Sequence, residues 1–171
     1  MRSQPERTKS AAIQLSLMAV MSALIAGATF LVRIPNPMGG YFNFGDVAIF
    51  AVALTFNPLI GGVAAGIGSA ISDAIGFPVF VLPTLIIKGV EGTLASVICD
   101  KRRVTKDLVA VAVAGCEMVA GYFVVELYVL QWGLAGALAE IPTNVAQIVI
   151  GAVVGIPVAY VVRRRLPDLL K

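Results

Sequence analysis

Eight side chains stand out for the bonds they could make: Asn43, Asp46, Lys88, Glu91, Tyr122, Glu126, Asn144 and Gln147. They lie within or at the edges of long apolar runs. A charge at the centre of a lipid bilayer costs about 2.5–3.5 kcal/mol even on the lenient insertion scale. Groups held at that cost pair with one another or share a wet cavity. Carboxylates accept hydrogen bonds, an ammonium donates, amides do both, and a tyrosine adds a ring face. This is the chemistry of recognition. The sequence contains no His, which removes the commonest metal ligand and the easiest proton shuttle. No nucleophile–base pairing is visible. Cys99 and Cys116 lack metal-type spacing and are expected as reduced thiols. No catalytic residue, metal or cofactor is therefore expected.

The elements that must position these groups are helices in lipid. Of 171 residues, 58% are hydrophobic and only 13% charged, and the mean hydropathy is +0.92. That composition is an integral membrane protein's. Apolar runs and Pro/Gly punctuation predict six helices, over residues 11–32, 44–56, 59–75, 79–99, 108–130 and 143–162. The fold class is thus an all-α, six-helix transmembrane bundle. It spans residues 11–165, with polar tails at 1–10 and 166–171. The stretch from Tyr41 to Asp73 organises the rest. Asn57-Pro58 turns a helical hairpin there, leaving Asp46 and Asp73 at one end. The Pro/Gly-rich segment 34–40 is long for a turn and reads as a lid or site loop. Residues 131–142 are expected as loop, and Pro157 as a kink.

Eleven of the 13 Lys and Arg fall in the N-terminal tail, the 100–107 loop and the C-terminal end from Arg163 onward. This skew predicts both termini in the cytoplasm. The basic residues flank apolar runs rather than forming a patch, which argues against nucleic-acid binding. In that frame most of the polar groups fall in the outer half of the membrane. Each keeps a structural alternative. Lys88 and Glu91, three apart, would neutralise each other on one helix face. Asp46 would satisfy a helix N-terminus. Asn144 and Gln147, also three apart, would join helices. Glu126 has no cation near it in its own helix, and Glu117 lies deeper. Tyr41, Tyr122, Tyr128 and Trp132 would form an interfacial belt or stack on a flat ring. The excess of acids over Arg33 and Lys88 favours a neutral or weakly basic aromatic heterocycle over a polyanion.

The first helix carries no acid or base between residues 11 and 32. It has a small-residue strip instead, Ala19, Ser22, Ala23 and Ala26, suited to internal packing or to docking another membrane protein. Together with Tyr41-Phe-Asn-Phe-Gly-Asp46, Ser72-Asp73, the run from Pro83 to Gly92 and Asn144-xx-Gln147, this strip makes nearly the whole chain resemble the substrate-binding S components of energy-coupling factor (ECF) vitamin transporters. The subgroup it resembles takes riboflavin, pyridoxine or hydroxymethylpyrimidine. The resemblance implies a multi-pass protein of a prokaryotic cytoplasmic membrane. It would capture a small vitamin or precursor from outside and dock through its first helix on a transmembrane T component. Two ATP-binding cassette ATPases would drive release inward. The sequence has no phosphate-binding Gly-xxxx-Gly-Lys-Ser/Thr loop, so hydrolysis falls to those partners. The alternative is a proton-coupled secondary transporter using Glu117 and Glu126 as proton sites.

Overall fold

The computed structural model describes residues 4–36 and 39–165. Six α-helices are present among them: α1 Gln4–Leu31, α2 Gly45–Thr55, α3 Pro58–Gly76, α4 Val81–Ile98, α5 Val104–Val124 and α6 Gly133–Arg165. A short antiparallel hairpin, β1 Arg33–Pro35 with β2 Tyr41–Asn43, joins α1 to α2. A 3-10 turn, Pro78–Phe80, leads into α4, and α5 runs on into a π turn at Val125–Val129. Five of the helical stretches are long and apolar enough to cross a membrane, and α2 is shorter. The tail expected at 1–10 is helical from Gln4 onward, and the tail at 166–171 lies outside the described residues.

Helix α2 is the centre of the bundle. Ile49, Phe50 and Leu54 are fully buried, and the helix touches α1, α3, α4 and α6. An apolar helix with no polar face is stable only when surrounded. At 1.5 Å per residue its 11 residues span about 16 Å, roughly half the ~30 Å hydrocarbon core. Asn57 then caps α3, its side chain accepting from the Ile60 N–H at 3.0 Å, with Pro58 at the first helical position. Helices α3 and α4 approach backbone to backbone. A Cβ on Gly66 would stand 2.6 Å from the Leu85 carbonyl, and one on Gly92 2.5 Å from the Gly61 carbonyl. Only glycine admits that approach.

The far end of α2 is held by a buried cation. Arg163 of α6 donates through Nε to the Leu54 carbonyl at 2.8 Å and through Nη1 to Asp107 of α5 at 2.8 Å. A carbonyl left over at a helix C-terminus needs such a donor. Cys99 and Cys116 are free thiols.

One expectation is corrected, and the expected site loop takes a definite form. Residues 133–142 are the first turns of α6, not loop. Gln131 and Gly133 take left-handed conformations (φ 56° and 74°), which complete the turn early and let the Ala-rich stretch start a helix. Pro142 and Pro157 both lie inside that helix. The Pro/Gly segment after α1 is a hairpin, with Arg33 opposite Asn43 and Pro35 opposite Tyr41.

Candidate substrate site

A cleft with about 40 Å³ of free volume opens between the hairpin, the end of α3, α4, the π turn and the first half of α6. That is well below the roughly 300–1,000 Å³ of small-molecule sites, so the lining must open to admit a ligand. Six of the eight predicted residues line it: Asn43, Lys88, Tyr122, Glu126, Asn144 and Gln147. Asp46 and Glu91 do not. They hold Lys88 instead, whose ammonium donates to Asp46 Oδ1 at 2.5 Å and lies 2.9 Å from Glu91 Oε2. All three are buried, with 4%, 1% and 0% exposure for Lys88, Asp46 and Glu91. Lys88 is thus both a paired core charge and a donor at the cleft. It sits 5.8 Å from the centre of the Tyr122 ring.

Each lining group is placed by its own element. The Asn43 side-chain oxygen, Oδ1, accepts from the Gly45 N–H at 2.7 Å, just ahead of α2. The Tyr122 and Thr84 hydroxyls bond each other at 2.8 Å, tying α5 to α4. Gln147 donates to Asn144 at 3.3 Å, so the spacing of three does place both amides on one face. Tyr41 donates to Asp73 and stacks on Phe77, ring centres 4.2 Å apart. Burial, reinforced by the Asp73 charge, pushes the Tyr41 phenol up, so it stays a donor. Arg33 donates to Ser72 and packs over Phe30, Tyr41 and Phe77.

Two acids face the cleft with a free oxygen each. Glu126 and Glu140 are both 2% exposed. Glu126 Oε2 and Glu140 Oε1 have no hydrogen-bond partner among the described residues. Glu126 rides on the π turn, where the Leu130 N–H reaches back five residues to Val125. Such turns insert one residue and re-aim a side chain, often at a functional site. Glu140 is fixed from the hairpin, its Oε2 accepting from Asn36 at 2.7 Å. Gly40 lies against that carboxylate, and a Cβ there would stand 2.5 Å from Oε2.

Sequence reasoning did not name Gly40, Phe80 or Thr84 as lining; it set Asp73 at the rim of a site, counted Glu140 among the acids of that site, and left Tyr41 between an interfacial belt and a ligand stack. The helical period held a signal for two of these. Phe80, Thr84 and Lys88 are four apart and share one face. Trp132 packs edge-on to Phe80 at 5.5 Å, whereas Tyr128 is exposed. Glu117 is half-buried outside the cleft. The α1 strip divides: Ala19 and Ala23 are exposed, Ala26 is half-buried, and Ser22 is buried against Gly68 of α3. Residues 19 and 22 lie about 60° apart around the helix, so the four do not share one outward face.

Comparison with known proteins matches residues 9–164 to the family described as ECF-type riboflavin transporter, S component. A protein of Pyrococcus woesei, described as an uncharacterized protein in a gap 3' region, is 41% identical over 145 residues, covering 84% of this chain and 97% of that protein. The thiamine precursor transporter HmpT of Lactococcus lactis subsp. cremoris (strain MG1363) is 29% identical over 143 residues, 82% of this chain and 81% of HmpT. A solved S component of a bacterial ECF transporter superposes with a TM-score of 0.64 at 19% identity, covering 92% of this chain and 97% of that one. The fold, the apolar helices and the near full-length family match agree. The chain belongs to the ECF-type riboflavin transporter S-component family: a multi-pass cytoplasmic membrane protein, not an enzyme, that serves as the substrate-binding subunit of an ECF importer for a vitamin or vitamin precursor.

Proposed function

We propose that this subunit takes up a thiamine precursor of the aminopyrimidine type, bound in the cleft by Asn43, Lys88, Tyr122, Glu126, Asn144 and Gln147. Asp46 and Glu91 act behind them by positioning Lys88. The observation that carries this reading is the convergence of those six side chains, from four separate segments, on one cleft. The likeness to a thiamine precursor transporter supports the ligand class. A ring would lie against Tyr122 and Phe80, with amides and carboxylates meeting its polar edge. The Lys and Arg distribution supports a cleft that opens outward and termini in the cytoplasm. Ala19 and Ala23, exposed and four apart, form the face that docks on the T component, itself coupled to two ATP-binding cassette ATPases.

Native mass spectrometry of the protein purified alone in mild detergent, followed by calorimetry, tests the ligand. A co-purifying mass matching hydroxymethylpyrimidine, with tight rebinding of that compound, is the expected result. Riboflavin or pyridoxine bound tightly in its place, with no response to hydroxymethylpyrimidine, would overturn the aminopyrimidine assignment.

A further inference from the structure

Charge within the cleft is unevenly matched. Among the described residues its one cation, Lys88, is already taken by Asp46 and Glu91. Glu126 and Glu140 face the same space, almost wholly buried, each with an oxygen that meets no donor. A buried acceptor without a partner costs about 1–3 kcal/mol, and more when charged. The two carboxyls are nevertheless carefully held, one by the π turn and the other by Asn36 with Gly40 pressed against it. A side chain at residue 40 would displace the Glu140 carboxylate, and an unbroken α-helix would turn the residue at 126 about 100° away.

We infer that Glu126 and Glu140 form a two-acceptor clamp selecting ligands by a nitrogen edge that donates two hydrogen bonds, as an amino group beside a protonated ring nitrogen does. The inference rests on the aminopyrimidine reading and narrows it to one edge of the ring. The two ligand N–H groups supply the donors that the protein withholds from these oxygens. Charge-assisted bonds of this kind are roughly twice as strong as neutral ones. A ring presenting a carbonyl oxygen at that edge would set acceptor against acceptor. The clamp therefore discriminates by rejection as well as by attraction.

The test is calorimetry on the intact subunit in detergent with two probes. One is hydroxymethylpyrimidine, and the other is its analogue with a ring oxygen substituent in place of the amino group. The clamp requires at least tenfold tighter binding of the amino compound. Glu126→Gln and Glu140→Gln, close in shape to the native residues, should each reduce that preference, and the double variant should bring it within threefold of unity. Equal affinity of the native protein for both probes overturns the clamp and leaves the aminopyrimidine reading standing. A preference undiminished in the double variant also overturns the clamp. Binding of neither probe overturns both. The comparison on the native protein needs no variant to fold.

Discussion

Lys88 illustrates how one side chain carries two demands. It neutralises two buried acids and presents an ammonium to the cleft. Removing one partner of a buried ionic group costs about 3–5 kcal/mol, because the charge left behind is uncompensated. Lys88→Met should therefore lower the unfolding midpoint sharply in detergent. Adding Asp46→Asn and Glu91→Gln should restore much of the midpoint without restoring ligand affinity. If the triple variant stays as unstable as the single one, the charge argument fails. Asn144→Ala removes an amide at the cleft while leaving the α6 backbone intact. Calorimetry should show at least a tenfold loss of affinity, and an unchanged constant would remove Asn144 from the site. The sequence made the cost of these polar groups legible. It left Thr84 and Phe80 out because a threonine and a phenylalanine in an apolar helix carry no such cost, and only the face they share with Lys88 marks them.

Elements decide where those residues point. Asn57-Pro58 and the glycine spacing of α3 announced the central hairpin, and the helix capped by Asn57 begins where they placed it. Three features escaped. The hairpin strands have three residues each, too few to show an alternating period. Pro142 read as the end of a loop, yet it lies inside α6, where the lost backbone bond and the clash with the carbonyl four residues back do not end the helix. The π turn was also invisible, since its extra residue is a matter of packing rather than of composition. Deleting Val125 should convert Val125–Val129 to regular helix and move Glu126 into the place Val125 held. Circular dichroism should then report undiminished helix while ligand binding is lost. Retained binding would show that the bulge does not aim Glu126.

The whole molecule must do more than bind. Exposed Ala19 and Ala23 lie on a helix that is apolar along its membrane-spanning length, and small residues permit close helix approach in lipid. Ala19→Trp should abolish uptake in cells that carry the full transporter while leaving the calorimetric affinity of the isolated subunit unchanged. Normal uptake would place the docking face elsewhere. How the subunit meets its partners could not be read from sequence, because a small-residue strip serves inward and outward packing alike, as Ser22 and Ala19 show. The shortness of α2 has an electrical consequence. Its first turn holds Asp46, tied to the ionic group beneath the cleft, and Leu54 near its end is tied to the Arg163–Asp107 pair. Between these two polar systems only residues 47–53 remain, about 10 Å of dry helix. Voltage across a membrane falls where the medium is least polarisable, so once the cleft opens to water most of it should drop over that thin septum rather than along the cleft. A charged ligand entering the cleft crosses little of the field, and its capture should be insensitive to membrane potential. Only its passage beyond α2 would meet the full energy of about 2.3 kcal/mol per charge per 100 mV.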